Sequence, residues 1–189
     1  MTDSVAFADR ATWERWLRSH HDDTPGGVWL RLAKKGSDGL AYPEALLGAL
    51  AWGWIDAQKK SLDDGFWLQR FTPRRPKSGW SKLNRAKAEE LIARGEMAAP
   101  GKAEVERAKA DGRWERAYDG ARAATVPDDL AVALAAKPKA KKFFATLDGA
   151  NRYAVLYRIQ TAKKPETRAR RITTLVAMLE RGEKIHERS

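Results

Sequence analysis

All eight tryptophans of this 189-residue chain lie between Trp13 and Trp114, and none follows. An indole buries more area than almost any other side chain, so this segregation predicts two cores of different composition rather than one. The stretch from Tyr118 to Pro127 is rich in Ala and Gly, ends in Thr125-Val126-Pro127, and reads as the connection. The expected division is an α+β domain with a Trp-rich sheet over residues 1–120 and a helical C-terminal domain over 121–189. Neither core can be stapled, because the chain has no cysteine, which excludes disulfides, thiolate catalysis and Cys-type zinc sites. Imidazole is confined to His20, His21 and His186, so a metal centre would have to borrow carboxylates. No metal and no cofactor is expected.

Local signals give the elements. Asp9 caps a helix from Arg10 to about His20, with Trp13, Trp16 and Leu17 on one face. Thr24-Pro25-Gly26-Gly27 breaks the chain before a strand at Val28–Ala33, and Pro43 opens a helix that stops near Gly53. Trp54–Lys59 and Phe66–Phe71 read as a hairpin around an Asp64-Gly65 turn. Ser81 caps a helix from Lys82 to Arg94, and Pro100 opens another to about Ala110. After Pro127 only helical spacing remains, at Leu130/Leu134, at Ala140/Phe143/Phe144/Leu147, at Val155/Leu156/Ile159 and at Ile172/Val176/Leu179. The expected fold is a small antiparallel three-stranded sheet flanked by helices, followed by an all-helical region.

Alternation sorts the three strands into two faces. One holds Val28, Leu30, Leu32, Ile55, Ala57, Phe66 and Leu68, and is apolar. The other holds Trp29, Arg31, Trp54, Asp56, Gln58, Trp67, Gln69 and Phe71. Its mixture of aromatics with Arg, Asp and Gln reads either as a ligand platform, carried by Trp29, Arg31, Trp54, Gln58 and Trp67, or as a covered face with Arg31 paired to Asp56.

Charge points the same way. The net of +11 is acidic by two over residues 1–64 and basic thereafter, and Gly65 to Ala88 holds seven cations and no acid. Within that run Arg70, Arg74, Arg75, Lys77, Ser81 and Asn84 approach a helix start, where free N–H groups favour an anion. A solvated basic loop is the plain alternative. A second basic cluster, Lys163 to Arg171, suits a nucleic-acid groove or the solvent faces of two helices meeting at Pro165. Asp56 is the one weak catalytic candidate, beside Arg31. No nucleophile elbow, phosphate-binding glycine loop or metal signature is present.

Several runs resemble a known family. Gly53–Lys59, Gln69–Arg75, Trp80–Asn84, Asn151–Tyr153 and Ala162–Ile172 are similar to YdeI/OmpD-associated proteins, a resemblance reaching over nearly the whole chain. It implies a bacteriocin-protection or stress-associated protein with no established reaction, cofactor or catalytic residue. The resulting expectation is a non-enzymatic binder of an anionic partner, a phosphate-containing ligand or nucleic acid. The alternatives are an enzyme on a small phosphorylated or carboxylated substrate and a module that docks an acidic protein partner. Met1-Thr2-Asp3-Ser4 lacks the basic start of an export signal, and no run reaches the ~18 apolar residues of a membrane span. A cytoplasmic location is expected.

Overall fold

The computed structural model describes residues 3–187, so Met1 and Thr2 of the opening tetrapeptide lie outside the described residues. The chain runs β1 (Val5–Ala6), α1 (Arg10–His20), β2 (Val28–Ala33), α2 (Tyr42–Ala51), β3 (Trp54–Ser61), β4 (Phe66–Pro73), α3 (Lys82–Ala93), α4 (Ala99–Ala110), α5 (Asp128–Ala135), α6 (Pro138–Ala145), α7 (Gly149–Gln160) and α8 (Pro165–Glu180). It divides into two units, Met1–Ala117 and Tyr118–Ser189. Among the described residues no helix is long and apolar enough to cross a membrane.

In the first unit α1 starts as its sequence predicts. The Asp9 carboxylate accepts from the Thr12 amide at 2.8 Å, and the Thr12 hydroxyl accepts from the Asp9 amide at 3.3 Å, a capping box. One turn on, the Trp13 indole is 0 % exposed and donates from Nε1 to the Ala45 carbonyl of α2 at 3.1 Å. Its ring lies 6.1 Å from Trp54 and 6.0 Å from Phe71, so one side chain joins both helices to the sheet. Gly48 makes room for it: a Cβ there would stand 2.7 Å from Trp13 Cδ1.

The sheet is four-stranded and mixed, in the order β1-β2-β4-β3, with β1 parallel to β2 and the other pairs antiparallel. This corrects the three-stranded antiparallel expectation. Val5 and Ala6 are too few to alternate, and they join the sheet through their backbone beside Leu30 and Arg31. The β3–β4 hairpin forms as expected, but its turn works differently. Gly65 is not among the glycines of positive φ; instead the Asp63 carboxylate accepts from the amides of Gly65 at 2.9 Å and Phe66 at 2.8 Å.

Pairing also redraws the two faces. Val28 stands opposite Phe71, Leu30 opposite Gln69 and Leu32 opposite Trp67, while Asp56 stands opposite Phe71. The apolar side of β2 therefore shares its face with Trp54, Asp56, Trp67, Gln69 and Phe71. Trp29 and Arg31 lie on the reverse face with Leu68, Arg70 and Ile55. The platform of Trp29, Arg31, Trp54, Gln58 and Trp67 is thus not one surface. Alternation is local to a strand, whereas the matching of parity between strands is set by register. A bulge adds to this: Ala57 and Gln58 together oppose Arg70, between the Asp56 and Lys59 pairs, which takes Gln58 out of the alternation. On the reverse face Arg31 covers the Phe66 ring at 4.7 Å and Lys60 the Trp29 ring at 4.5 Å.

The second unit packs α5 to α8 around Leu130, Leu134, Ala140, Phe144, Val155, Ile159, Ile172, Val176 and Leu179, the residues the helical spacing selects. Asp148 caps α7 by accepting from the Asn151 amide at 2.8 Å. Arg168 of α8 forks onto Asp129 in the first turn of α5, with Nε–Oδ2 at 2.6 Å and Nη2–Oδ1 at 2.9 Å. The hydrogen bond and charge of Arg168 hold the Asp129 carboxyl below its ordinary value of 3.8.

Gly48→Ala is expected to destabilise the first unit by ~1 kcal/mol or more. Overpacking against Trp13 costs roughly 1–3 kcal/mol and outweighs the helix-propensity gain. Urea unfolding followed by tryptophan fluorescence reads this unit alone. A depressed carboxyl pKa contributes stability that is present above the unfolded value and lost as pH falls through the folded one. Asp129→Asn should therefore lower the melting temperature of the helical unit near pH 6 and flatten its loss between pH 5 and 2, read by circular dichroism.

Candidate functional site

A cleft of about 620 Å³ opens in the first unit beside the β3 bulge. Its walls come from three places: His21, Asp22 and Gly26 in the α1–β2 connection, Gln58 in the bulge with Arg70 and Thr72 on β4, and Arg74, Arg75 and Ser78 in the loop before α3. The connection crosses β4 closely. Gly27 has φ +72°, and a Cβ there would lie 2.2 Å from the Phe71 carbonyl oxygen, so only glycine fits.

Each arginine is held differently. Arg70 donates from Nε to the Gly26 carbonyl at 3.1 Å, with Nη2 on the same oxygen, and so ties β4 to the connection. Arg74 is 5 % exposed; its guanidinium lies 3.5 Å over the Trp80 ring and donates to the Gly79 carbonyl at 3.1 Å. Burial on an indole face suits the weakly hydrated guanidinium. Arg75 is exposed, and its side chain makes no hydrogen bond or ion pair with a described residue. The loop that follows Arg75 is closed as a turn: the Ser78 hydroxyl accepts from the Arg75 amide at 3.0 Å, and the Ser78 amide donates to the Arg75 carbonyl at 2.9 Å. From behind, buried Arg113 donates to the Ser78 carbonyl at 2.7 Å while its Nε rests on Asp111.

The bulge is supported from inside the sheet. Gln69, 3 % exposed, donates from Nε2 to the carbonyls of Gln58 and Arg70, both at 3.0 Å. His21 places Nδ1 3.1 Å from the Leu17 carbonyl and leaves Nε2 without a partner among the described residues. This combination offers a ligand an unpaired guanidinium, an imidazole nitrogen, a primary amide and a hydroxyl.

Of the residues that the sequence singled out for an anion, Arg70, Arg74 and Arg75 meet at the cleft, and so does Gln58 from the platform set. Lys77, Ser81 and Asn84 do not line it; the Ser81 hydroxyl accepts from the Asn84 amide at 3.1 Å as the cap of α3. Trp54 is 1 % exposed, with Nε1 donating to the His21 carbonyl at 3.0 Å, and so offers no stacking surface. Trp67 is half-buried against Tyr42, 5.6 Å away. Asp56 accepts from the Tyr42 hydroxyl at 3.1 Å, and burial, then the Asp56 charge, push the Tyr42 phenol upward so that it stays a donor. Arg31 sits on the opposite face of the sheet, so Asp56 and Arg31 form neither an acid/base pair nor an ion pair. His21, Asp22 and Gly26 carry no local signal, since only the crossing of the connection over β4 brings them to the arginines, whereas Thr72 stands between Arg70 and Arg74 on β4 itself. Among the described residues no group of three or more His, Asp or Glu side chains is placed to hold a metal.

Removing the Gln69 amide leaves two carbonyls of the bulge without that donor. Gln69→Leu is expected to cost about 1–3 kcal/mol in urea unfolding.

Two family models match the chain. Residues 5–104 match a domain of unknown function, DUF8412, and residues 123–182 match the family described as bacteriocin-protection, YdeI or OmpD-associated. The resemblance spread over nearly the whole chain thus divides: the runs at Gly53–Lys59, Gln69–Arg75 and Trp80–Asn84 fall within the first model, and those at Asn151 and Ala162 within the second. No curated protein and no solved structure matches the chain.

Proposed function

For a chain that belongs to the DUF8412 family and carries a YdeI or OmpD-associated module after it, we propose a binding role, with a small carboxylate- or phosphate-bearing ligand in the cleft beside the β3 bulge. The observation that carries this reading is the meeting of Arg70, Arg74 and Arg75 at one cleft with a single carboxylate, Asp22. A guanidinium matches a carboxylate or phosphate with two parallel donors, and the Arg75 fork has no partner among the described residues. His21 Nε2, the Gln58 amide and the Ser78 hydroxyl supply orientation. Arg74, seated on Trp80, contributes charge more than contact.

Preorganisation supports the same reading. Pro73, Pro76, the Ser78 turn and the Arg113 brace fix the loop before any ligand arrives, which lowers the ordering cost of binding. A bounded cleft suits a small anion, whereas a polyanion requires cations spaced along an open track.

Tryptophan fluorescence titrations with inorganic phosphate and adenosine monophosphate test the reading. Arg75→Glu should weaken binding about 10–100-fold, the worth of one charge-assisted hydrogen-bonded pair, and Lys77→Glu should change it little. Equal affinity in Arg75→Glu and the unaltered chain would sink the idea. Binding of an oligonucleotide that falls steeply with salt, with phosphate silent, would assign the basic surface to nucleic acid instead.

A further inference from the structure

A second, separate groove of about 900 Å³ lies between α7 and α8 of the helical unit, and it is polarised along its length. At one end Arg158 and Thr161 of α7 meet Arg170 and Arg171 of α8: Arg171 Nη1 donates to the Arg158 carbonyl at 2.5 Å and lies 3.4 Å from the Thr161 hydroxyl. Arg170 is exposed and makes no hydrogen bond or ion pair with a described residue. Among the described residues no Asp or Glu lines the groove, so this end is a cationic corner with no carboxylate in its lining. Arg168, from the same basic run, is spent on Asp129 and takes no part.

Beyond the corner the lining turns mainly apolar, with Ala150, Ala154 and Leu175 beside the Thr174 hydroxyl, and aromatic, with Tyr153 and Tyr157. Neither tyrosine belongs to the cluster that forms the core of this unit. Tyr157 is 38 % exposed, its ring 5.8 Å from Tyr153 and edge-on to Tyr118 at 5.0 Å. Tyr153 is anchored through its hydroxyl to the Asp119 carbonyl at 3.1 Å, so the aromatic wall has a fixed member. The far end is closed by His186, held in place by buried Asn151, whose Oδ1 accepts from the His186 amide at 2.8 Å and whose Nδ2 donates to its carbonyl at 3.1 Å.

The geometry points to a binding site for one small amphipathic anion, its carboxylate or phosphate head at Arg158, Arg170 and Arg171 and its apolar or aromatic body along Tyr153, Tyr157 and Leu175. The volume falls in the range of small-molecule sites. Charge confined to one end selects a ligand with one charged end. A nucleic-acid strand or an acidic helix would need cations along the whole groove. The site is independent of the cleft in the first unit.

Calorimetric titration of the full chain with 2-naphthoate tests this, in an Arg75→Glu background so that the cleft of the first unit does not contribute. Saturable binding is expected, weakened at least tenfold by Arg170→Glu, by replacing naphthoate with neutral 2-naphthalenemethanol, and by Tyr157→Ser. Amide shifts on naphthoate addition should centre on Tyr153, Tyr157 and Leu175. The proposal is overturned if naphthoate does not bind, if Arg170→Glu binds it equally well, or if the neutral alcohol binds as tightly. Competition by inorganic phosphate at naphthoate-like affinity would also overturn it, since the apolar wall would then contribute nothing.

Discussion

Trp13 ties the first unit together through one hydrogen bond and four ring contacts. Its indole N–H is satisfied by the Ala45 carbonyl, and its ring meets Phe7, Trp16, Trp54 and Phe71. An indole fully removed from water needs both its surface and its donor accounted for. The seating of α1 against α2 and the sheet does this, and Gly48 leaves the space. The end of α1 is thereby fixed over β3, where Trp54 Nε1 holds the His21 carbonyl. The connection that follows then crosses β4 at Gly27 and becomes one wall of the cleft. The site in the first unit is in this sense a consequence of where a tryptophan is seated.

The opposite walls depend on buried polar groups with defined partners. Gln69 holds the bulge open from within, and Arg113 braces the loop from behind. Neighbouring arginines in that loop have unlike duties. Arg74 lies on Trp80 and helps shape the loop, whereas Arg75 is exposed and its fork makes no hydrogen bond or ion pair with a described residue. The seven cations of the run are accordingly not seven equivalent charges.

The helical unit makes the same distinction. Asn151, which opens one of the family-like runs, clamps the tail at His186. In the other run Arg168 ties α8 to α5, Arg171 bridges to the end of α7, and Arg170 has no partner among the described residues. One short basic stretch thus supplies a tether, a bridge and an unpaired charge, and only position in the fold separates them.

Helix starts were legible because they are local: Asp9, Ser81 and the helix-opening prolines act within one turn, and apolar spacing selected most of the C-terminal core, missing Leu175 and counting Phe143, which is only partly buried. The α+β class followed from the same patterns. Alternation likewise described β2 and β4 correctly by themselves, and β3 up to its bulge. The sequence by itself determined these short-range features, since a cap, a turn or a helical stripe involves residues a few positions apart. It also placed Arg70, Arg74 and Arg75 in one run near a helix start. Only the tertiary structure decided which side of β2 joins which side of β4, that two residues of β1 complete the sheet, that a bulge displaces Gln58, and that His21 and Gly26 face the arginines. Those outcomes depend on register and on chain crossings between segments far apart in sequence, where no local preference acts.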